Sequence, residues 1–420
     1  MQMSAGTRRM CVAVLVLAGA VWVAWRGFRV TSTGDYAVDY GPAMNALLAG
    51  HVGAFFSALP TNGAGGSLLL RAPAAVVGKL LGAGQLAIFR FGALACVLAA
   101  GAVGLTLARA MRAEARSWVA RAAVVGLFVL GPAVLDAITF GHPEEPLGAA
   151  LCIGAVLLSG RDRAVLAGAA LGLAIICKPW GVLAVFPVML AAPGGRLRIS
   201  AGDGRLRIAA VAGAIAAAWT AGAYLASPEH FSRIILGAGT AVVAHPVDLW
   251  WPLARLHIAP GITPAYLPPR LVADHARELA VLLSIPLAIP LALRRERSIE
   301  VCLALLALLF LVRCLLDPSN HVYYQAPFVL ALCAYEARTR GLPVLSLLSL
   351  AGVWLVFHVI SGTGNLTAQF IAYLTITLPL AAVLARVVVR ASRRTRFADR
   401  PARLSLARSS SPAARPIEGR

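Results

Sequence analysis

About a dozen apolar runs divide the chain, each approaching the roughly 20 residues that an α-helix needs to cross a bilayer. Amide and carbonyl groups inside hydrocarbon have no water to bond, so a chain built this way satisfies its backbone within helices. The reading is an all-α, polytopic transmembrane bundle of roughly 10–13 spans. They are placed at 10–30, 84–108, 117–139, 146–160, 164–178, 180–192, 208–226, 278–293, 299–316, 322–337, 343–361 and 367–390. Of the 420 residues 59% are hydrophobic and only 13% charged, too little charge to clothe a water-soluble surface of this size.

The formal net charge is +20, but the arginines sit in short clusters between apolar runs, which is the pattern of cytoplasmic connections and not of a nucleic-acid face. No nucleic-acid partner is expected. One orientation gathers every cluster on one side: Arg8/Arg9, Arg109/Arg112/Arg116, Arg161/Arg163, Arg196 to Arg207, Arg294 to Arg297, Arg338/Arg340 and the tail from Arg386. It requires a turn at Lys178-Pro179, where proline removes a helical hydrogen bond and clashes with the preceding turn. Both termini are then cytoplasmic. The excess of Arg over Lys and the abundant Ala fit a high-GC bacterial source, hence a bacterial plasma membrane.

The first apolar run continues through Trp22 and Trp25 without a small-x-small cleavage site, and reads as an uncleaved helix. The cysteines show no CxxC spacing and read as small buried hydrophobes. Segment 67–82, interrupted by Arg71 and Lys79, reads as a helix lying in the interface. Residues 1–390 thus form one membrane domain with external loops at 31–66 and 227–277, and 391–420 read as a disordered basic tail able to touch anionic lipid.

The same orientation collects the unusual polar residues on the opposite, external face. Ionisable groups at membrane depth are costly and need a partner, a wet cavity or a task. Asp35 and Asp39 lie in the first external loop, where a carboxylate can act as general base towards an acceptor hydroxyl or simply cap a helix. His142-Pro143-Glu144-Glu145 opens a span; its acids suit a helix N-terminus, and its side chains also suit hydrogen bonding to a sugar. Lys178 is one of two lysines and precedes Pro179-Trp180, placed either to neutralise a lipid phosphate or to snorkel to water. Asp317 to Tyr324 brings Asn320, His321 and Tyr324 together just before a span, more donors than aromatic anchoring explains. Arg71 is a further candidate for a phosphate or for lipid headgroups. The aspartates are not spaced DxD and the 142–145 run lacks HExxH spacing, so no metal or other cofactor is expected.

The Asp-containing first external loop, Gly-His-Pro-Glu at 141–144, the Ala-Gly to Lys-Pro-Trp stretch at 167–180 and Asn-His-Val-Tyr-Tyr at 320–324 together resemble bacterial polyprenol-phosphate-mannose-dependent mannosyltransferases of the C-type membrane glycosyltransferase (GT-C) superfamily. The resemblance spans approximately residues 10–390. It implies a GT-C-like bundle with an external site, a polyprenyl-phosphate-sugar donor, a lipid or glycan acceptor, and a first-loop aspartate as base. That role would pass to Asp35, with Asp39 in reserve. It also places the His-Pro-Glu element, Lys178 and His321 near donor phosphate or acceptor. Two aspartates where one is expected leave the base open, and the large soluble external domain of some relatives is missing. The alternative is a transporter or flippase of lipid-linked or small solutes, which would distribute ionisable groups through the midplane instead of at one face. A non-catalytic membrane scaffold is the third.

Overall fold

The computed structural model describes residues 30–59, 65–82, 84–193, 203–237, 243–258, 264–293 and 297–398. The expected first span at 10–30 and the tail beyond 398 lie outside these residues. The fold is an all-α polytopic bundle. Among the described residues, seven helices are long and apolar enough to cross a membrane, joined by shorter apolar helices.

Three short helices follow the first loop: α1 (Tyr36–Asp39), α2 (Gly41–Leu48) and α3 (Val52–Ser57). Next come α4 (Gly66–Leu80), α5 (Gly84–Ala113), α6 (Trp118–Leu130), α7 (Pro132–Thr139), α8 (Glu144–Ser159) and α9 (Ala164–Cys177). A 3-10 turn (Pro179–Ala184) leads into α10 (Val185–Ala191), followed by α11 (Gly204–Ala226) and α12 (Pro228–Gly237). The outer segment carries strands β1 (Arg255–His257) and β2 (Ala265–Leu267). The bundle closes with α13 (Arg270–Ala292), α14 (Ile299–Leu316), α15 (Gln325–Thr339), α16 (Val344–Trp354) and α17 (Leu366–Ala398).

The break expected at Lys178-Pro179 is present: Lys178 is extended (φ −151°, ψ 131°) and the chain reverses through the 3-10 turn. Other boundaries differ from the sequence reading for local reasons. The span at 117–139 is interrupted at Gly131 (φ −54°, ψ 132°), because the residue before a proline is driven out of the helical region. The span at 343–361 ends its α-helix at Trp354 and continues as a wide turn, Leu355–Ile360. The span at 278–293 begins earlier, at Arg270. Residues 391–398, read as disordered, continue the last helix. Helix α4 forms where the interfacial segment was expected, but its Ser67, Arg71, Ala75 and Gly78 face is buried, with Gly78 against the α5 backbone at Ala87 and Ile88. Arg71 therefore points inwards and not towards headgroups.

Two ends of the bundle emerge from the contacts. At one, Arg338 bonds Glu114 (2.9 Å) and Glu300 (3.1 Å), and Arg205 donates to the Met189 and Ala192 carbonyls that end α10. The polar residues of 35–39, 140–145, 178–180 and 317–324 meet at the other. The six described cysteines are buried and unbridged, as their apolar settings suggested.

Helix α9 is thin, and this brings Lys178 into the interior. A Cβ at Gly168 would lie 2.8 Å from the Ile208 carbonyl oxygen, and one at Gly172 2.9 Å from the Ile215 side chain. The pair is a small-xxx-small seam that lets α9 and α11 approach closely. Gly168→Val should therefore cost about 1–3 kcal/mol through overpacking. Thermal unfolding of the purified protein should show a lowered Tm, whereas Gly213→Ala on α11, where a Cβ meets nothing within 4 Å, should leave it within error.

Candidate functional site

The first loop is locked onto the segment between α7 and α8 by two glycines with left-handed backbones, Gly34 (φ +52°) and Gly141 (φ +91°). A Cβ on either would fall within 2.6 Å of the opposing backbone. This approach lets the Asp35 amide donate to the Phe140 carbonyl (3.1 Å), which sets the Asp35 side chain beside His142. The next residues open α8, and successive helical positions point about 100° apart. Glu144 and Glu145 therefore serve different partners.

Glu144 is fully buried. Its Oε1 lies 2.9 Å from His142 Nδ1 and 3.1 Å from Lys178 Nζ, and its Oε2 lies 3.7 Å from an Arg71 guanidinium nitrogen. The other imidazole nitrogen, Nε2, is 3.3 Å from Asp35 Oδ2. Glu145, also buried, pairs with Lys178 (3.4 Å) and Arg313 (3.4 Å) and accepts from the Trp180 indole (3.4 Å). Arg313 lies over the Tyr324 ring (4.3 Å) and the Trp180 ring (5.0 Å), and Arg71 over the Tyr36 ring (5.1 Å). Buried ions survive only with partners of opposite sign. Arg71, Lys178 and Arg313 supply that compensation to Glu144 and Glu145.

The Asp35 side chain is 62% exposed, so its carboxylate faces outwards while His142 holds it from within. Asp39, half-buried one helical turn on, has a carboxyl raised above its ordinary value by burial, against the pull of His142. A row of rings runs on from His142, which stacks with Tyr323 (4.3 Å); Tyr323 stacks with His321 (5.2 Å), and His321 leans on His245 (4.5 Å). Burial, reinforced by His245 and His142, pushes His321 down to about 4. It is therefore a neutral donor or acceptor at neutral pH.

A cavity of about 300 Å³ opens beside this cluster, between the 179–184 turn, α13 and α14. Lys178, Arg277, Arg313, Glu145, Glu278, Asp317 and Tyr324 line its polar end, three cations among three carboxylates. Val182, Leu183, Ala280 and Val281, one turn further along their elements, line the rest. Arg277 is itself 3.4 Å from Asp317.

Of the residues singled out in the sequence, Asp35, Asp39, Arg71, His142, Glu144 and Lys178 converge on one cluster. Tyr324 and Lys178 reach the cavity, and His321 joins the ring row. Arg71 is fully enclosed, so its partner is Glu144 and not an incoming phosphate. Asn320 is a further correction. Its amide donates to the Val247 carbonyl (2.7 Å) and to the Tyr373 hydroxyl (3.0 Å), and its Oδ1 accepts from Gln325 (2.9 Å). These bonds commit both amide hydrogens and pin the 243–251 segment. Arg313 and Arg277 escaped the sequence reading; an arginine inside the apolar run 299–316 was itself a signal, since charge within a span marks a pathway or site. Among the described residues no group of His, Cys, Asp or Glu side chains is arranged to hold a metal. No protein-family model matches the sequence, and no curated protein is significantly similar to it.

Glu144→Gln would strand three buried groups, and loss of one partner from a buried ion pair costs about 3–5 kcal/mol. A large fall in Tm is expected for Glu144→Gln, against a small one for Asp35→Asn at the exposed end of the chain of contacts. For His321 the folded state binds fewer protons than the unfolded state between about 4 and its ordinary 6.5, so its contribution makes stability rise with pH across that window. His321→Gln should flatten the loss of Tm on acidification from 6.5 to 4, measured by thermal melts at stepped pH.

Proposed function

We propose that the protein is a membrane glycosyltransferase that moves a sugar, mannose by the resemblance, from a polyprenyl-phosphate donor to a lipid or glycan acceptor on the external face of a bacterial plasma membrane, with both termini cytoplasmic. The observation that carries this reading is the cavity: Lys178, Arg277 and Arg313 among three carboxylates at its polar end, an apolar wall continuing along the helices, and Lys178 joining it to the Glu144-His142-Asp35 chain. A phosphate with a hydrocarbon tail matches that division of polarity.

In this reading the donor phosphate takes the Lys178, Arg313 and Arg277 end and its prenyl chain lies along Val182, Leu183 and Val281. Asp35 accepts the proton of the acceptor hydroxyl as that oxygen bonds to the anomeric carbon. The bond from that carbon to the phosphate oxygen breaks, its electron pair stays on the phosphate, and the cations stabilise the charge that develops. His142, held at its other nitrogen by Glu144, fixes the Asp35 carboxylate towards the acceptor. The clustering of the ionisable groups at one end of the bundle supports transfer at one face over alternating access from two.

The test is transfer in proteoliposomes supplied with polyprenyl-phosphate-mannose and candidate acceptors. Loss of a positioned base typically costs about 10²–10⁴-fold, so Asp35→Asn should reduce kcat by that order while the exposed Glu229→Gln on α12 retains activity. Arg277→Gln should raise the donor KM roughly tenfold, as expected for one charge-assisted hydrogen bond to phosphate. Full activity in Asp35→Asn would remove the catalytic assignment, and movement of the lipid between leaflets without transfer would make the protein a flippase.

A further inference from the structure

Between α12 and α13, residues 251–258 and 264–269 form a small element that leads into α13. Strands β1 and β2 pair antiparallel, with Leu256 opposite Tyr266. A two-stranded hairpin is marginal by itself in water, and this one turns apolar side chains outwards. Leu253 is 53% exposed, Leu256 50%, Ile258 71%, and Leu271, in the first turn of α13, 72%. The segment is tied down: the Ala244 amide donates to the Tyr266 carbonyl (2.7 Å), the Trp250 indole to the Leu316 carbonyl (2.7 Å), and the Trp251 and Tyr266 rings meet at 4.6 Å. The exposed leucines therefore belong to a fixed face.

We propose that this hairpin is a lipid-binding element, seated in the headgroup layer of the bilayer on the flank of the protein formed by α13. The argument is continuity with a membrane-facing surface. Leu271, Leu282, Ile285, Ile289 and Leu293 are all exposed and recur at helical spacing along one side of a helix apolar enough to span a membrane. The 23 residues of α13 rise about 34 Å, more than the roughly 30 Å of hydrocarbon, so one end turn reaches into the headgroup layer. Arg270, Asp274 and His275, in the first turns, put that end at Arg270, while Glu278 lines the cavity. Pro268 and Pro269 join the hairpin to this turn at the same depth. The exposed Arg255 suits contact with lipid phosphates, while Arg270 pairs with Asp274 (3.5 Å) on its own helix. The inner side of α13, at Ala276, Arg277 and Ala280, lines the cavity. The hairpin thus leads directly into the helix that walls the cavity.

The experiment places a nitroxide at Ile258→Cys and, separately, at Leu271→Cys in the full chain, reconstituted in nanodiscs of phosphatidylcholine and phosphatidylglycerol. Glu229→Cys is the water-exposed reference, and the unsubstituted protein supplies the background from native thiols. The expected result is an oxygen-to-nickel collision ratio several-fold above the reference at both positions. A ratio equal to the reference places the hairpin in water and overturns the proposal, as does spin-spin broadening between labels, which would mean that a second copy of the chain covers this face.

Discussion

The buried Glu144 carboxylate is the constraint around which the polar end of the bundle is arranged. An uncompensated carboxylate in such surroundings carries a desolvation cost that no single hydrogen bond offsets. Glu144 draws its compensation from separate stretches of chain: Arg71 from α4, His142 from the turn before α8, and Lys178 from the end of α9. Because Arg71 and Lys178 arrive from two other helices, satisfying the charge at the start of α8 fixes the relative positions of three elements. His142 extends the arrangement to the surface, where Asp35 is held by a ring whose orientation is set from inside. A loop carboxylate is held in this way from a helical scaffold, which on the proposed reading positions the base.

Much of the architecture was legible because it follows from local chemistry. Apolar runs long enough to span must be helical, and Pro179 must interrupt one of them, so the reversal at Lys178 could be read directly. The polar residues that gather at one end were visible as departures from apolar patterning. What stayed hidden is which distant group neutralises which charge. Arg71 read as a phosphate or headgroup contact because its flanks look interfacial, whereas its partner Glu144 is supplied by a different helix. Arg313 was passed over inside a leucine-rich run for the same reason, since its meaning rests on Glu145 and on the Tyr324 and Trp180 rings. Asn320 misled in the opposite sense. An amide beside a histidine and two tyrosines suggests recognition, yet its three bonds to Val247, Tyr373 and Gln325 hold the 243–251 segment in place.

Lys178 has the widest reach of the cations. It touches Glu144 and Glu145 and also lines the cavity, because the chain is extended there and neither helix claims its side chain. A phosphate entering the cavity competes with both carboxylates for the same ammonium group. Arg313 keeps Glu145 compensated, but Glu144 has only His142 and the more distant Arg71 to fall back on. Weakening the Lys178 contact therefore strengthens the claim of Glu144 on His142, and with it the hold of His142 in the conformation that meets Asp35. On the proposed reading, donor binding and the poise of the base are linked through a single buried carboxylate, and the adjacency of two glutamates at the start of α8 is what allows one lysine to serve both.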